Sequence, residues 1–533
     1  MGTRLGRSAG ARKDTRALNS SYDETGTVLT IPDLFESAVE QSPTKEWLFY
    51  EDSTWTYERA YERITAAAYA LEQLGVGREK RVLATTRNSP DYLFTWLATV
   101  HLGATIVAVN PESSAEELAG LIGQVRPHAI VTDSGLSHSI DAESFDALLV
   151  LAEDLAAAPA AQVAPSARAE DVAVMIPTSG TTGRSKMVMQ TQRAYAMAGV
   201  GFPFWMRLDE TDRLMTSLPL FHINAPAYSM LGSVAARASL ILLPRFSGSG
   251  FIDAARRYGA TEFNAIGAML EILMRQPERA DDADNPLRRC YTGPSPARER
   301  HLAIERRFGL EIVCGYALSE SPYALIWKRG TRPFETLGSP RQHPTMGEIN
   351  KARVVEDGQE VGVGGVGELE LKNPAVMLGY YGMPEETERV LSDGWLKTGD
   401  VVRVNDDGTF TFVGRRKELI RRRGENLSPV EVEAALEAHP DVTEAAVIGV
   451  PSDLSEEEVK AFVILSGDAT VSLGELRDFV AGRLAPFKVP RYVEVVEELP
   501  HTATGRIAKH ELPTDRNDRE SDFEPARSRE EQR

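Results

Sequence analysis

Val174-Met175-Ile176-Pro177-Thr178-Ser179-Gly180-Thr181-Thr182-Gly183-Arg184-Ser185-Lys186 leads from an apolar run into hydroxyls and glycines and closes on a lysine. The run Val172 to Ile176 reads as a buried strand, expected to break at Pro177. Gly180 and Gly183 can take backbone conformations closed to other residues, so successive N–H groups can face one hollow. Thr178, Ser179, Thr181 and Thr182 add hydroxyl donors, and Lys186 adds a positive charge. Such a loop suits a polyphosphate. It is not a Walker loop, because Ser185 stands where that pattern has a glycine before the lysine. The same composition also makes an ordinary surface turn, so partners elsewhere in the chain must decide.

The chain has 533 residues, more than one compact core supports, so at least two domains are expected. A net charge of −19 argues against a general nucleic-acid binder and for a self-repelling surface. Cys290 and Cys314 are the only cysteines. Two cysteines make no disulfide framework, and a reducing, cytoplasmic setting is expected. No apolar run approaches membrane-spanning length. Residues 1–26 and 513–533 are basic or charged without apolar periodicity, and both are expected to be disordered tails.

Between the tails, helical spacing appears over Ile31 to Glu40, and again after Trp55-Thr56-Tyr57 with Ile64, Ala68 and Leu71 on one face. Arg81 to Thr85, Tyr92 to Leu102 and Ile106 to Val109 read as strand, helix, strand. That order predicts a parallel α/β sheet. Further strands are expected at Ala129 to Thr132, Ala147 to Leu151, Ser239 to Leu243 and Phe263 to Gly267. Past Pro429 the pattern is a small α+β domain: helices Pro429 to Ala438 and Leu473 to Leu484, strands Glu444 to Val450, Val459 to Leu465 and Tyr492 to Val496.

Four more segments carry chemistry. Cys314-Gly315-Tyr316-Ala317-Leu318-Ser319-Glu320 offers a flat ring for a purine, a hydroxyl for a phosphate and a hard anionic oxygen for Mg²⁺, which favours few carboxylates plus phosphate oxygens. Gly394-Trp395-Leu396-Lys397-Thr398-Gly399-Asp400 puts a carboxylate on a tight turn, where it can accept two ribose hydroxyls. Gly414-Arg415-Arg416-Lys417 precedes Arg421-Arg422-Arg423-Gly424-Glu425-Asn426. A triple arginine is either a solvated face or a cationic track, and arginine forks suit phosphate. Leu499-Pro500-His501-Thr502-Ala503-Thr504-Gly505-Arg506 closes the series.

In this order the segments resemble the signatures of the adenylate-forming superfamily, which includes acyl-CoA synthetases, aryl-CoA ligases, firefly luciferase and the adenylation domains of peptide synthetases. The basic residues before Gly-Glu-Asn bring the chain nearest to the carnitine/crotonobetaine-CoA ligase branch. Four positions depart from the family pattern: Ser185 replaces a proline, Ala317 and Arg423 replace glycines, and Arg506 replaces a lysine.

The resemblance implies a large domain over 27–414, with layered sheets, helices and a β-barrel subdomain, and a small mobile domain over 415–512. It implies ATP, Mg²⁺ and coenzyme A as reactants and a small-molecule carboxylic acid as substrate, of medium size or bulky. Lys186, Glu320 and Arg506 would be catalytic, with Glu320 on the metal. Thr178 to Gly183, Gly293, Pro294, Ser295, Tyr316, Ser319, Asp400 and Arg415 would hold the nucleotide. Arg421, Arg422, Arg423 and Gly424 would line the coenzyme A track, and Lys417 would be the hinge. His222, Asn224, Ile266, Gly267, Ala317 and Leu318 would line the acyl pocket, His222 without a proton-transfer role. A free-standing carrier protein in place of coenzyme A, oxygenation of the adenylate, and a non-catalytic nucleotide binder are the rival readings. Lys509 is the rival to Arg506.

Overall fold

Arg81–Thr85 and Thr105–Ala108 pair in parallel, Arg81 opposite Thr105 and Ala84 opposite Ala108, with the helix Pro90–His101 crossing between them. Ser89 starts that helix by accepting the N–H of Tyr92 at 3.1 Å, and Pro90 occupies a first-turn position where no N–H is needed. This is the βαβ unit expected from the sequence. The computed structural model that shows it describes residues 30–522, apart from 138–139, 141–144, 179–184, 417, 423–424, 452–456, 468, 502–506 and 516–519.

The chain forms two compact units. The larger comprises residues up to Ala352 together with Glu370–Lys397. One of its sheets runs Gly379–Tyr380, Lys186–Thr191, Val172–Thr178, Thr105–Ala108, Arg81–Thr85, Ala129–Thr132, Leu148–Leu151 in spatial order. A second, of nine described strands, places Arg289–Thr292 between Glu311–Leu318 and Glu262–Asn264. Helices pack on these sheets around one apolar cluster that includes Trp47, Tyr57, Trp96, Tyr195 and Phe202.

The expected break at Pro177 is corrected. The strand continues through Pro177 to Thr178, pairing Pro177 with Met187 and Thr178 with Lys186. On its other side Thr105–Ala108 pairs only as far as Met175. A proline costs no ladder bond where the neighbouring strand has run out.

The smaller unit comprises Arg353–Leu369 and the chain from Thr398 onward. This division falls at different places from the 414/415 boundary read from the sequence. Thr398 donates its hydroxyl to the Leu369 carbonyl at 2.7 Å, and Val404 donates its N–H to Gly365 at 3.0 Å, which ties the two stretches together. Beyond them lies a sheet ordered Val442–Pro451, Glu457–Leu465, Tyr492–Val495, Glu520–Asp522. The disordered tail expected over 513–533 is corrected there, because Glu520–Asp522 pairs antiparallel with Tyr492–Val495 and closes the sheet edge. Helices Pro429–Glu437 and Leu473–Ala481 pack Val432, Leu436, Leu476 and Val480 against Val447, Val459, Val463 and Val493. Each such fully buried side chain contributes about 1.5–3 kcal/mol relative to exposure.

Candidate active site

Lys186 opens the strand Lys186–Thr191, beside the last residue of Val172–Thr178. It therefore stands at the carboxyl end of a strand that is parallel to Thr105–Ala108, the end where open α/β sheets bind ligands. Thr178 donates its hydroxyl to the Lys186 carbonyl at 3.3 Å. The Lys186 ammonium holds Glu386 at 2.6 Å and lies 4.7 Å from the centre of the Tyr380 ring. Tyr380 in turn donates its hydroxyl to Oε1 of Glu320 at 3.0 Å.

Glu320 reaches this corner because Ser319-Glu320 is the two-residue turn of a hairpin that pairs Leu318 with Ser321. Two bonds fix the turn from behind. Gln190, fully buried, donates its amide to the Ser319 carbonyl at 2.7 Å, and Met377 donates its N–H to the Glu320 carbonyl at 2.8 Å. The strand that begins with Lys186 thus also anchors, through Gln190, the turn that carries Glu320. Burial, and then the Glu320 charge, push the Tyr380 phenol well above its ordinary range, so it stays a donor.

Gly293 and Gly315 bring the Gly293-Pro294-Ser295 loop against the strand of Tyr316. A Cβ on Gly293 would fall 2.0 Å from the Gly315 carbonyl oxygen, so no side chain fits there. Ser295 accepts the N–H of Glu335 at 3.2 Å. Tyr316, Ala317 and Leu318 are half-buried along the hairpin. Burial pushes the nearby Cys314 thiol up to about 12, which leaves it an inert thiol.

In the expected acyl region, Asn224 accepts the amide of fully buried Asn264 at 2.6 Å. Asn88 donates to the Leu218 carbonyl and accepts from Leu220 N–H, both at 2.9 Å, holding the segment that leads to His222. His222 and Asn224 are half-buried, whereas Ile266 and Gly267 are exposed at the start of the helix Gly267–Arg275. A basic open cleft of about 660 Å³, lined by Lys80, Arg81, Arg126 and His128, lies at the opposite, amino end of the parallel strands and holds none of these residues.

Within the smaller unit, Asp400 is buried and meets Nε of Arg415 at 3.2 Å, the guanidinium remaining half-exposed. Arg422 is a correction. It is buried, donates to the Val489 carbonyl at 2.9 Å and pairs with buried Glu458 at 2.6 Å. It holds the unit's own interior and offers no exposed charge to a coenzyme A phosphate. Lys509 pairs with Glu433 at 2.6 Å. Residues 179–184, Lys417, Arg423, Gly424 and Arg506, and the Arg421 side chain, lie outside the described residues.

Sequence reasoning missed Tyr380, Glu386, Gln190, Asn88 and Asn264. Only Tyr380 left a trace, in Gly379-Tyr380-Tyr381, where nothing local says which strand it pairs with.

A lysine and carboxylates gathered at the carboxyl end of parallel strands suit an anionic, phosphate-bearing ligand. The chain belongs to the AMP-binding enzyme family: that family's model matches residues 35–381, and the model of its C-terminal domain matches 431–506. The chain is 30% identical over 486 residues to a crotonobetaine/carnitine–CoA ligase of Salmonella paratyphi C, covering 86% of this chain and 93% of that protein. Its fold is similar to ATP-bound MatB from Rhodopseudomonas palustris, with a TM-score of 0.83, 28% identity and coverage of 90% and 98%. It is also similar to the o-succinylbenzoate coenzyme A synthetase of Bacillus subtilis in complex with ATP and magnesium ion, with a TM-score of 0.80, 26% identity and coverage of 90% and 98%.

Proposed function

We propose that this enzyme is an AMP-forming acid–thiol ligase that converts a medium-sized or bulky carboxylic acid to its coenzyme A thioester. One carboxylate oxygen attacks the α-phosphorus of ATP. The bond from that phosphorus to the bridging oxygen breaks, and pyrophosphate leaves. The thiol of coenzyme A then loses its proton, its sulfur attacks the acyl carbon, and AMP leaves. The observation that carries this reading is the Lys186–Tyr380–Glu320 corner, which sets an ammonium and a carboxylate about one aromatic ring apart.

Negative charge gathers on phosphate oxygens in the first step, so a fixed ammonium is what the chemistry needs. Lys186 supplies it once Glu386 yields to phosphate. Among the described residues no group of three or more His, Cys, Asp or Glu could cage a metal ion. One carboxylate, set across the Tyr380 ring from the phosphate lysine, nevertheless fits Mg²⁺ carried chiefly by phosphate oxygens, and Glu320 would hold it. Bound there, the ion would neutralise developing charge. Thr178 to Gly183 and Ser319 serve the phosphates, Tyr316 and the Gly293 loop the adenine, and Asp400 with Arg415 the ribose. Arg506 brings a further cation to adenylation, and rotation about Lys417 separates the half-reactions. Arg421, Arg423 and Gly424 remain the track for coenzyme A. Asn224 and Asn264 add polar groups to a pocket with His222, Ile266, Gly267, Ala317 and Leu318. A reducing, cytoplasmic setting fits Cys290 and Cys314, both free and buried.

Incubation with ATP, Mg²⁺, coenzyme A and a panel of acids, read by mass spectrometry, tests the proposal. AMP, pyrophosphate and one acyl-CoA are expected. An adenylate that passes only to a carrier protein would replace coenzyme A as acceptor, and ADP as product would overturn the reaction.

A further inference from the structure

Tyr380 stands between the two groups on which the first half-reaction depends. Its hydroxyl meets Glu320 at 3.0 Å, and its ring faces the Lys186 ammonium at 4.7 Å. The residue is 7% exposed and packs with Val188, Met377, Leu396 and Leu318. Pairing with Val188 and a 2.9 Å bond from its N–H to the Thr387 hydroxyl fix its backbone. Val188 and Lys186 share a face of their strand, so the ring meets the lysine on the diagonal. A phenylalanine would fill this apolar cluster without the cost of burying a hydroxyl. The oxygen therefore has a use, and the group it serves is the Glu320 carboxylate.

We propose that Tyr380 is a positioning residue for adenylation, fixing the Glu320 carboxylate through its hydroxyl and the Lys186 ammonium through its ring. The proposal rests on Glu320 as the Mg²⁺ carboxylate. Mg²⁺ demands near-octahedral geometry, so a carboxylate whose rotamer is already set loses less freedom when the ion and ATP arrive. The hydrogen bond holds one oxygen and so orients the other. The ring holds the ammonium by cation–π attraction, which leaves Lys186 in place when Glu386 gives way to phosphate.

Tyr380→Phe removes one oxygen and keeps the ring. Pyrophosphate release should fall about 10-fold or more, and the Mg²⁺ concentration for half-maximal rate should rise several-fold, as when other groups that orient a metal ligand are lost. The Michaelis constant for the acid should not move, nor should thioester formation from pre-made acyl-adenylate and coenzyme A. In a Glu320→Gln background the same change should add little. An unchanged Mg²⁺ dependence, equal loss of both half-reactions, or a full further loss in the Glu320→Gln background would overturn the proposal. Glu320→Ala run in parallel separates it from its premise. If Glu320→Ala leaves pyrophosphate release intact, the reading of Glu320 fails and the proposal with it. If Glu320→Ala abolishes release while Tyr380→Phe leaves the Mg²⁺ dependence unchanged, the proposal alone fails.

Discussion

Lys186 in the larger unit and Lys509 in the smaller one each hold a glutamate oxygen at 2.6 Å. Around Lys186 the contacts run on to the Tyr380 ring and from there to Glu320. Around Lys509 they turn back into the scaffold. Glu433 also accepts the Val447 N–H at 2.7 Å, and burial holds its carboxyl above the usual range against the opposing pull of Lys509. Removing Lys509 would strand a buried acid, whereas removing Lys186 would leave a partner, Glu386, that is part-exposed and also paired with Arg389. The same contrast separates Arg415, half-exposed on Asp400, from Arg422, buried on Glu458. A cation in a motif is thus either available to a ligand or committed to its own domain: for the two lysines the burial of the glutamate partner separates the cases, and for the two arginines the burial of the guanidinium itself.

The largest effect expected from this contrast is at Lys186. Lys186→Ala should lower pyrophosphate release by about 10²–10³-fold, the scale for loss of one transition-state donor, with an unchanged melting curve. A melting point lowered as much as in Arg422→Ala would make Lys186 another scaffold cation. Arg422→Ala should cost about 3–5 kcal/mol in denaturant unfolding, because it strands Glu458 in the interior. Retained stability with a raised Michaelis constant for coenzyme A would return Arg422 to the coenzyme A track.

Next comes the pair Arg506 and Lys509. Arg506→Ala should slow adenylate formation about 10-fold or more while sparing thioester formation from pre-made adenylate, and Lys509→Ala should lower stability with adenylation nearly intact. Loss of adenylation in Lys509→Ala alone would reverse the choice. The smallest effect is at Arg415. Arg415→Lys keeps the charge but loses the planar fork, so stability should change by less than about 1 kcal/mol. The Michaelis constant for ATP should rise about two- to threefold, and a larger fall in stability would class this pair with Arg422.

Much of this was legible before the structure. The parallel βαβ unit follows from apolar runs separated by a helical period, and both of its strands lie within a residue of their expected places. The hairpin turn that presents Glu320 lies in a contiguous motif. What stayed hidden depends on distant partners. Three consecutive arginines read as a cationic track for coenzyme A until Glu458 and the Val489 carbonyl are brought to the middle one. Pro177 looks like a strand end until Thr105–Ala108 is seen to stop short of it. Tyr380 and Gln190 acquire meaning only through pairings with residues far away in the chain, which local periodicity cannot encode.

The most direct test is Glu320→Ala assayed in two halves. Given ATP, Mg²⁺ and acid, the variant should release almost no pyrophosphate. Given pre-made acyl-adenylate and coenzyme A, it should form thioester near the wild-type rate, since that step needs no metal carboxylate at the triphosphate. Near wild-type pyrophosphate release from the folded variant would contradict the account.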